Sequence, residues 1–273
     1  MLEQVIESDY GHTVLFDSHN HLQSARFGKP VGELIAAMKS VGISGCVVNA
    51  TQESDWEAVR EIAREFPDFV RPAYGVHPWF ADTVEKGWEV KLKSFLREDA
   101  RASVGEIGVD GWVSSPMMEV QREVFAKQVA IAVELERVMT VHCLKAWDEL
   151  FQLMDEVDAW PEKFLMHSFG GSIEVAQRLL KRGAWFSFSG YFLQTRKRKV
   201  LEVFKQLPKD RILLETDAPE MAPPQELIKF PLDGEWNHPA NLGEIAAAFE
   251  REMGIGILEE VVENSNLFWG LKD

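Results

Sequence analysis

Two histidines separated by one residue, His19 and His21 in FDSHNHL, are the first feature of the chain with chemical meaning. Alternate residues of an extended strand project to one side, so both imidazoles can reach a single cation. Further candidate donors close or follow apolar runs: Glu106 in VGEIGVD, His142 in MTVHC, His167 in KFLMHSF and Asp217 in LLETDAP. A carboxylate set behind such a run is costly to bury unless something compensates it. A metal is the simplest compensation, and an Arg or Lys ion pair is the alternative. A glutamate between two cations can bridge them with its two oxygens. Asp110 and Glu215 are alternative carboxylates nearby, and Glu215, two residues before Asp217, suits a supporting role one layer deeper. Imidazole and carboxylate donors without thiolates suit one or two divalent ions such as Zn²⁺, Mg²⁺ or Mn²⁺. Such a centre polarises a phosphoryl or carbonyl oxygen and activates water, with Asp217 as the ligand placed to take its proton. The implied chemistry is hydrolysis.

The elements that must position these groups alternate. Short β-branched or aromatic runs predict strands over 14–17, 45–51, 70–77, 102–108, 138–143, 163–169, 184–190 and 211–217. Helical spacing predicts helices over 31–41, 53–66, 88–96, 116–135, 146–157, 172–181 and 197–206. Alternation implies a parallel sheet with right-handed crossovers, and this many strands favour closure: an α/β fold, a TIM-type (β/α) barrel with room for distortion, in a single domain over 1–273. The carboxyl ends of barrel strands share one face, where active sites assemble. His19, His21, His77, His142, His167, Glu106 and Asp217 all fall there, leaving His12 and His238 outside. The proline-bearing stretch 218–239 follows the last strand and is expected over that face. Residues 240–268 read as closing helices, broken at Gly254 and Gly256.

Composition narrows the function classes. No apolar run approaches a bilayer span, and MLEQVIESDYGHTV is acidic where a signal peptide is basic then apolar, so the reading is a cytoplasmic chain without membrane contact. Cys46 and Cys143 form no CxxC pair and read as reduced thiols. The net charge of −15 opposes capture of long nucleic acid by a broad basic face, but metal ions in a cleft can still attract phosphate locally. The basic run Arg196, Lys197, Arg198 and Lys199 reads as a solvated first helical turn, with a phosphate-backbone contact as the alternative. No GxGxxG, Walker loop, GxSxG or HExxH is present. Trp79 and Trp112 follow rim elements and could stack on a substrate ring; the other tryptophans read as core and surface anchors.

FDSHNHL, AYGVHPWF, SVGEIGVD, VHC, HSFGGS, GAWFSFSG, RILLETDAP, HPANL and ENSNLFWG run almost the whole chain, and together they resemble the TatD family of metal-dependent nucleases within the amidohydrolase-like barrels. The resemblance implies metal ligation by His19, His21, Glu106, His142, His167 and Asp217, and a rim role for His77 in contacting substrate phosphate or supporting the site. It also implies a phosphodiesterase or deoxyribonuclease acting on ester bonds, of the 3′ to 5′ exonuclease type, with single-stranded DNA or another phosphodiester as substrate; no obligate protein partner is implied. Two departures bear on substrate. Leu144 stands where the family carries arginine, with Lys145 beside it, and Trp236-Asn237-His238-Pro239 stands for Arg-Asn-Glu-Pro. With the negative charge, Leu144 favours the competing reading of a small-molecule amide, ester or lactone hydrolase. A metal-stabilised binding module would instead need a closed, protein-only coordination shell.

Overall fold

The computed structural model describes residues 14–271; His12 and the acidic N-terminal stretch lie outside them. Eight strands, β1 (Leu15–Asn20), β2 (Ile43–Asn49), β3 (Val70–Tyr74), β4 (Ser103–Asp110), β5 (Met139–Leu144), β6 (Phe164–Met166), β7 (Ala184–Ser189) and β8 (Ile212–Glu215), form one parallel sheet in sequence order. The crossovers carry α1 (Val31–Ser40), α2 (Trp56–Glu65), α3 (Trp88–Glu98), α4 (Met118–Glu134), α5 (Trp147–Glu156), α6 (Ile173–Leu180) and α7 (Arg198–Phe204), followed by α8 (Leu242–Met253) and α9 (Ile257–Trp269). The result is the expected TIM-type α/β barrel. Its strands are buried on both faces, as the near-continuous apolar runs require. Its helices bury one stripe; in α2 that stripe is Trp56, Val59, Ile62 and Ala63.

Inside the barrel, side chains stack in layers set by the two-residue period of a strand. Phe16, Val47, Ala73, Leu165, Trp185 and Leu213 form a floor, sealed from below by Phe268 and Trp269 of α9. Two residues further along, the inward positions turn polar: Leu165 is followed by His167, and Leu213 by Glu215 and then Asp217. In β1 the parity changes, from Phe16 on the floor to His19 and His21 above it. The register of β1 on β2 shifts between Asp17 and Asn20, which turns the two histidines inward.

The seam between β8 and β1 is closed by Asp17. Its Oδ1 accepts the Thr216 amide N–H at 2.9 Å, and its Oδ2 accepts the Thr216 hydroxyl at 2.6 Å and the Asn20 amide at 3.0 Å. The Asp217 N–H donates to the His19 carbonyl at 2.9 Å, and the His21 N–H to the Ala218 carbonyl at 2.8 Å. Burial pushes the Asp17 carboxyl up to about 7, against the hydrogen bonds from Thr216 and Asn20.

Several element ends differ from expectation. β1 runs to Asn20 and β4 to Asp110, so His19 and Glu106 lie within strands, not at their ends. β6 and β8 stop at Met166 and Glu215, so His167 and Asp217 follow them. β4 extends because Gly108, at φ +151°, lets it lie against β5; a Cβ there would stand 1.9 Å from the His142 carbonyl oxygen. α2 begins at Trp56, after a 3-10 turn over Glu53–Asp55. Among the described residues no helix is long and apolar enough to cross a membrane.

Replacing Asp17 leaves buried donors on Thr216 and Asn20 without an acceptor. Asp17→Ala is expected to lower the unfolding free energy by about 3 kcal/mol, read as a lower urea midpoint by circular dichroism.

Candidate metal centre

The interior layer above the floor gathers every sequence-predicted donor. Glu106 stands at its centre, and its two oxygens face different partners. Oε2 lies 3.4 Å from His19 Nε2 and 3.4 Å from His21 Nε2. Those two nitrogens are 3.2 Å apart, and each is 3.5 Å from Asp217 Oδ1. Oε1 lies 2.7 Å from His167 Nε2, 3.2 Å from His142 Nδ1 and 3.4 Å from His77 Nε2, with His142 Nδ1 and His167 Nε2 3.3 Å apart.

These separations fit coordination. Bonds of about 2.0–2.1 Å in a tetrahedral shell put neighbouring donor atoms about 3.3 Å apart. In the first set, His19, His21, Asp217 and one Glu106 oxygen, each histidine nitrogen has that spacing to the other and to both carboxylates. The second offers His142, His167 and the other Glu106 oxygen, which leaves a side open. The groupings His19–His21–Asp217 and His19–Glu106–His167 are compact enough to hold an ion.

His77 groups with Glu106 and His142 by proximity, but its proton placement argues for a different role. Its Nδ1 accepts the Trp79 amide N–H at 3.2 Å. Burial, outweighing the attraction of Glu106, holds the ring down at about 3, so it is neutral. A neutral imidazole accepting at Nδ1 carries its proton on Nε2. His77 therefore presents an N–H beside the second set, 3.4 Å from Glu106 Oε1.

Outer hydrogen bonds orient two of the other rings, those of His21 and His142. The His21 Nδ1–H donates to the Asn49 carbonyl at 2.7 Å, freeing Nε2. The His142 Nε2–H donates to Asp110 at 3.0 Å, freeing Nδ1. Glu215 sits below, accepting the Ser168 N–H at 2.7 Å and the Ser187 hydroxyl, with His167 Nδ1 3.7 Å away. Thus Asp110 and Glu215 support the ring instead of forming the inner set. Asp217 at φ +51° and Ser168 at φ +41° hold left-handed backbone, which costs about 1–2 kcal/mol each and persists because the surrounding hydrogen bonds impose it.

Asp17 and Asn49 were not among the residues singled out from sequence, and Asn237 was named only as part of the segment around His238. Asn237 ties the long loop to the rim by donating to the Thr216 carbonyl at 2.9 Å. The only available signal was position: Asp17 two residues before His19, and Asn237 beside His238. His238 itself is buried, stacked on Phe230, and accepts the Ala240 N–H at Nδ1.

Burial favours neutral rings, yet hydrogen bonds to Asp217 and Glu106 hold His21 up at about 10. His142 is raised by Asp110 and Glu106, and His167 well above its usual range by Glu106 and Glu215, both against burial. Glu106 and Asp217 are lowered by the surrounding imidazoles despite burial. Because His21 is protonated at neutral pH, divalent metal is expected to displace a proton on binding, and its affinity to rise as pH climbs toward about 10. The metal-free protein has the opposite sign: the raised values contribute stability that is full below the ordinary histidine value of 6.5 and lost as pH rises through the folded-state values. Titration calorimetry in buffers of different ionisation enthalpy measures the proton release. Asp110→Ala is expected to weaken metal binding by about 10- to 100-fold in equilibrium dialysis.

A family model described as TatD-related DNase matches residues 16–267. An uncharacterized metal-dependent hydrolase of Bacillus subtilis, YabD, is 30% identical over 234 residues, covering 85% of this chain and 89% of its own. Human deoxyribonuclease TATDN3 is 28% identical over 264 residues, 91% of this chain and 90% of its own. The 3′-5′ ssDNA/RNA exonuclease TatD of Erwinia tasmaniensis is 27% identical over 213 residues, 77% and 81% of the two chains. In fold, the crystal structure of the TatD homologue YJJV of Escherichia coli superposes with a TM-score of 0.84 at 23% identity, covering 95% of this chain and 99% of its own. With a family match over most of its length and this relative in Bacillus subtilis, the chain belongs to the TatD-related DNase family.

Proposed function

We propose that the protein is a divalent-metal-dependent phosphodiesterase that shortens single-stranded DNA from its 3′ end, with His19, His21, Glu106, His142, His167 and Asp217 as the metal ligands. The observation that carries the reading is the division of the Glu106 oxygens between two donor sets, one of them open beside the His77 N–H. The names of the human and Erwinia relatives support the substrate class. Divalent ions, Mg²⁺, Mn²⁺ or Zn²⁺, supply Lewis-acid polarisation of a phosphoryl oxygen and ease the deprotonation of water.

The chain's own groups do the rest. Asp217, anionic at neutral pH, takes the proton of the attacking water. The neutral His77 donates its Nε2–H to a nonbridging phosphate oxygen, where charge builds as water adds; the bond to the 3′-oxygen then breaks, and that oxygen takes up a proton from solvent. Asp110 holds the His142 ring in its tautomer throughout. The whole operates as a single barrel unit. We also place it in the cytoplasm, a compartment that its free thiols, Cys46 and Cys143, suit.

A second reading, hydrolysis of a small amide, ester or lactone, draws on one observation: Leu144 puts an exposed apolar side chain at the mouth. Labelled single-stranded oligonucleotide with Mg²⁺ or Mn²⁺ separates the two. Stepwise shortening from the 3′ end is expected, lost on chelation and at least about 100-fold slower in Asp217→Asn. Wild type cutting no faster than Asp217→Asn overturns the nuclease reading, and turnover of a lactone or ester panel by that same preparation would put the second in its place.

A further inference from the structure

Three successive strand ends leave large apolar side chains in solvent beside the donor cluster: Trp79 after β3 is 48% exposed, Trp112 after β4 64%, and Leu144 at the end of β5 41%. Isolated exposed side chains are ordinary; three on successive strand ends next to the donors suit a binding surface. The cluster is held in place. Asp110 accepts the Trp79 indole N–H at 2.7 Å and the Trp112 backbone N–H at 2.6 Å, and the Gly111 N–H donates to the Leu144 carbonyl at 2.7 Å. Lys145, at φ +52°, brings its ammonium to 3.8 Å from the centre of the Trp112 ring. The Asp110 carboxylate that fixes both tryptophans also accepts the His142 Nε2–H. The exposed rings are thus registered against the centre through one side chain.

We propose that Trp112 and Lys145 form a nucleotide-reading subsite: the free surface of the indole stacks the terminal base, and the ammonium on its other side pairs with the adjoining phosphate. The proposal rests on the nuclease reading and names how the strand is held. Every base has a π-face, so stacking is tolerant of sequence, but it requires a base free of its duplex partner. A chain of net charge −15 cannot rely on a broad basic face to gather polyanion. One aromatic surface with one cation beside the centre supplies short-range contacts in its place.

The test uses the full chain with Mn²⁺ and two oligothymidylate substrates, one complete and one with an abasic 3′-terminal residue. Wild type is expected to show a KM about 10-fold lower for the complete strand. In Trp112→Ala that ratio falls to near one, and Trp112→Phe restores most of it. Lys145→Met is expected to reduce the slope of log kcat/KM against log salt by about 0.7, the loss of one single-strand phosphate contact. If wild type cuts both strands with equal KM, or Trp112→Ala keeps the full ratio, the subsite is wrong while the nuclease reading stands. If wild type cuts neither strand, both fall.

Discussion

The barrel closes on a buried carboxyl group between its last and first strands. Between β8 and β1, Asp17 gathers the Thr216 amide and hydroxyl and the Asn20 side chain, while the backbone of Asp217 and His21 bonds across the same seam. These residues flank the donors. Closing the barrel and bringing His19 and His21 to Asp217 are therefore one event, because the atoms that close the seam are covalently adjacent to the atoms that would hold an ion. The burial penalty of Asp17 is tolerated because its oxygens are met by donors from both strands.

The centre itself is organised around Glu106. Its two oxygens divide the imidazoles into a compact set with Asp217 and an open set facing His77. Ring tautomers complete the division. Where the distal nitrogen donates outward, to the Asn49 carbonyl or to Asp110, the inner nitrogen becomes a lone-pair donor once its own proton is displaced. Where it accepts, as in His77, the inner nitrogen carries a proton. Similar distances to Glu106 thus support different chemistries, separated by the hydrogen bond on the far side of each ring.

The surrounding rim shows how a strongly acidic chain can handle an anionic substrate. The basic run foreseen as a solvated helical turn divides: Arg198 pairs with Glu252, while Arg196 and Lys197 lie against Tyr191 after β7. At the other side of the mouth Lys145 lies over Trp112. Cations stacked on rings at strand ends make local contacts that screening over about 8–10 Å leaves largely independent of the net charge.

Most of the donor set was legible because each donor interrupts an apolar run, and apolar runs alternating with amphipathic segments specify a parallel α/β barrel with its strand ends on one face. His142, His167 and Asp217 follow directly from that logic. What could not be read was the parity of each strand. His19 faces inward because β1 shifts register between Asp17 and Asn20, and Glu106 lies in the register shift of β4 on β5 between Val104 and Ile107. The roles of Asp17, Asn49 and Asn237, and the proton on His77 Nε2, were also out of reach from sequence. Each is set by a hydrogen bond between segments or by local backbone geometry, and a linear pattern carries neither. The residue types of the chain determined that a hydrolytic metal centre could form; only the folded backbone decided which lone pairs meet.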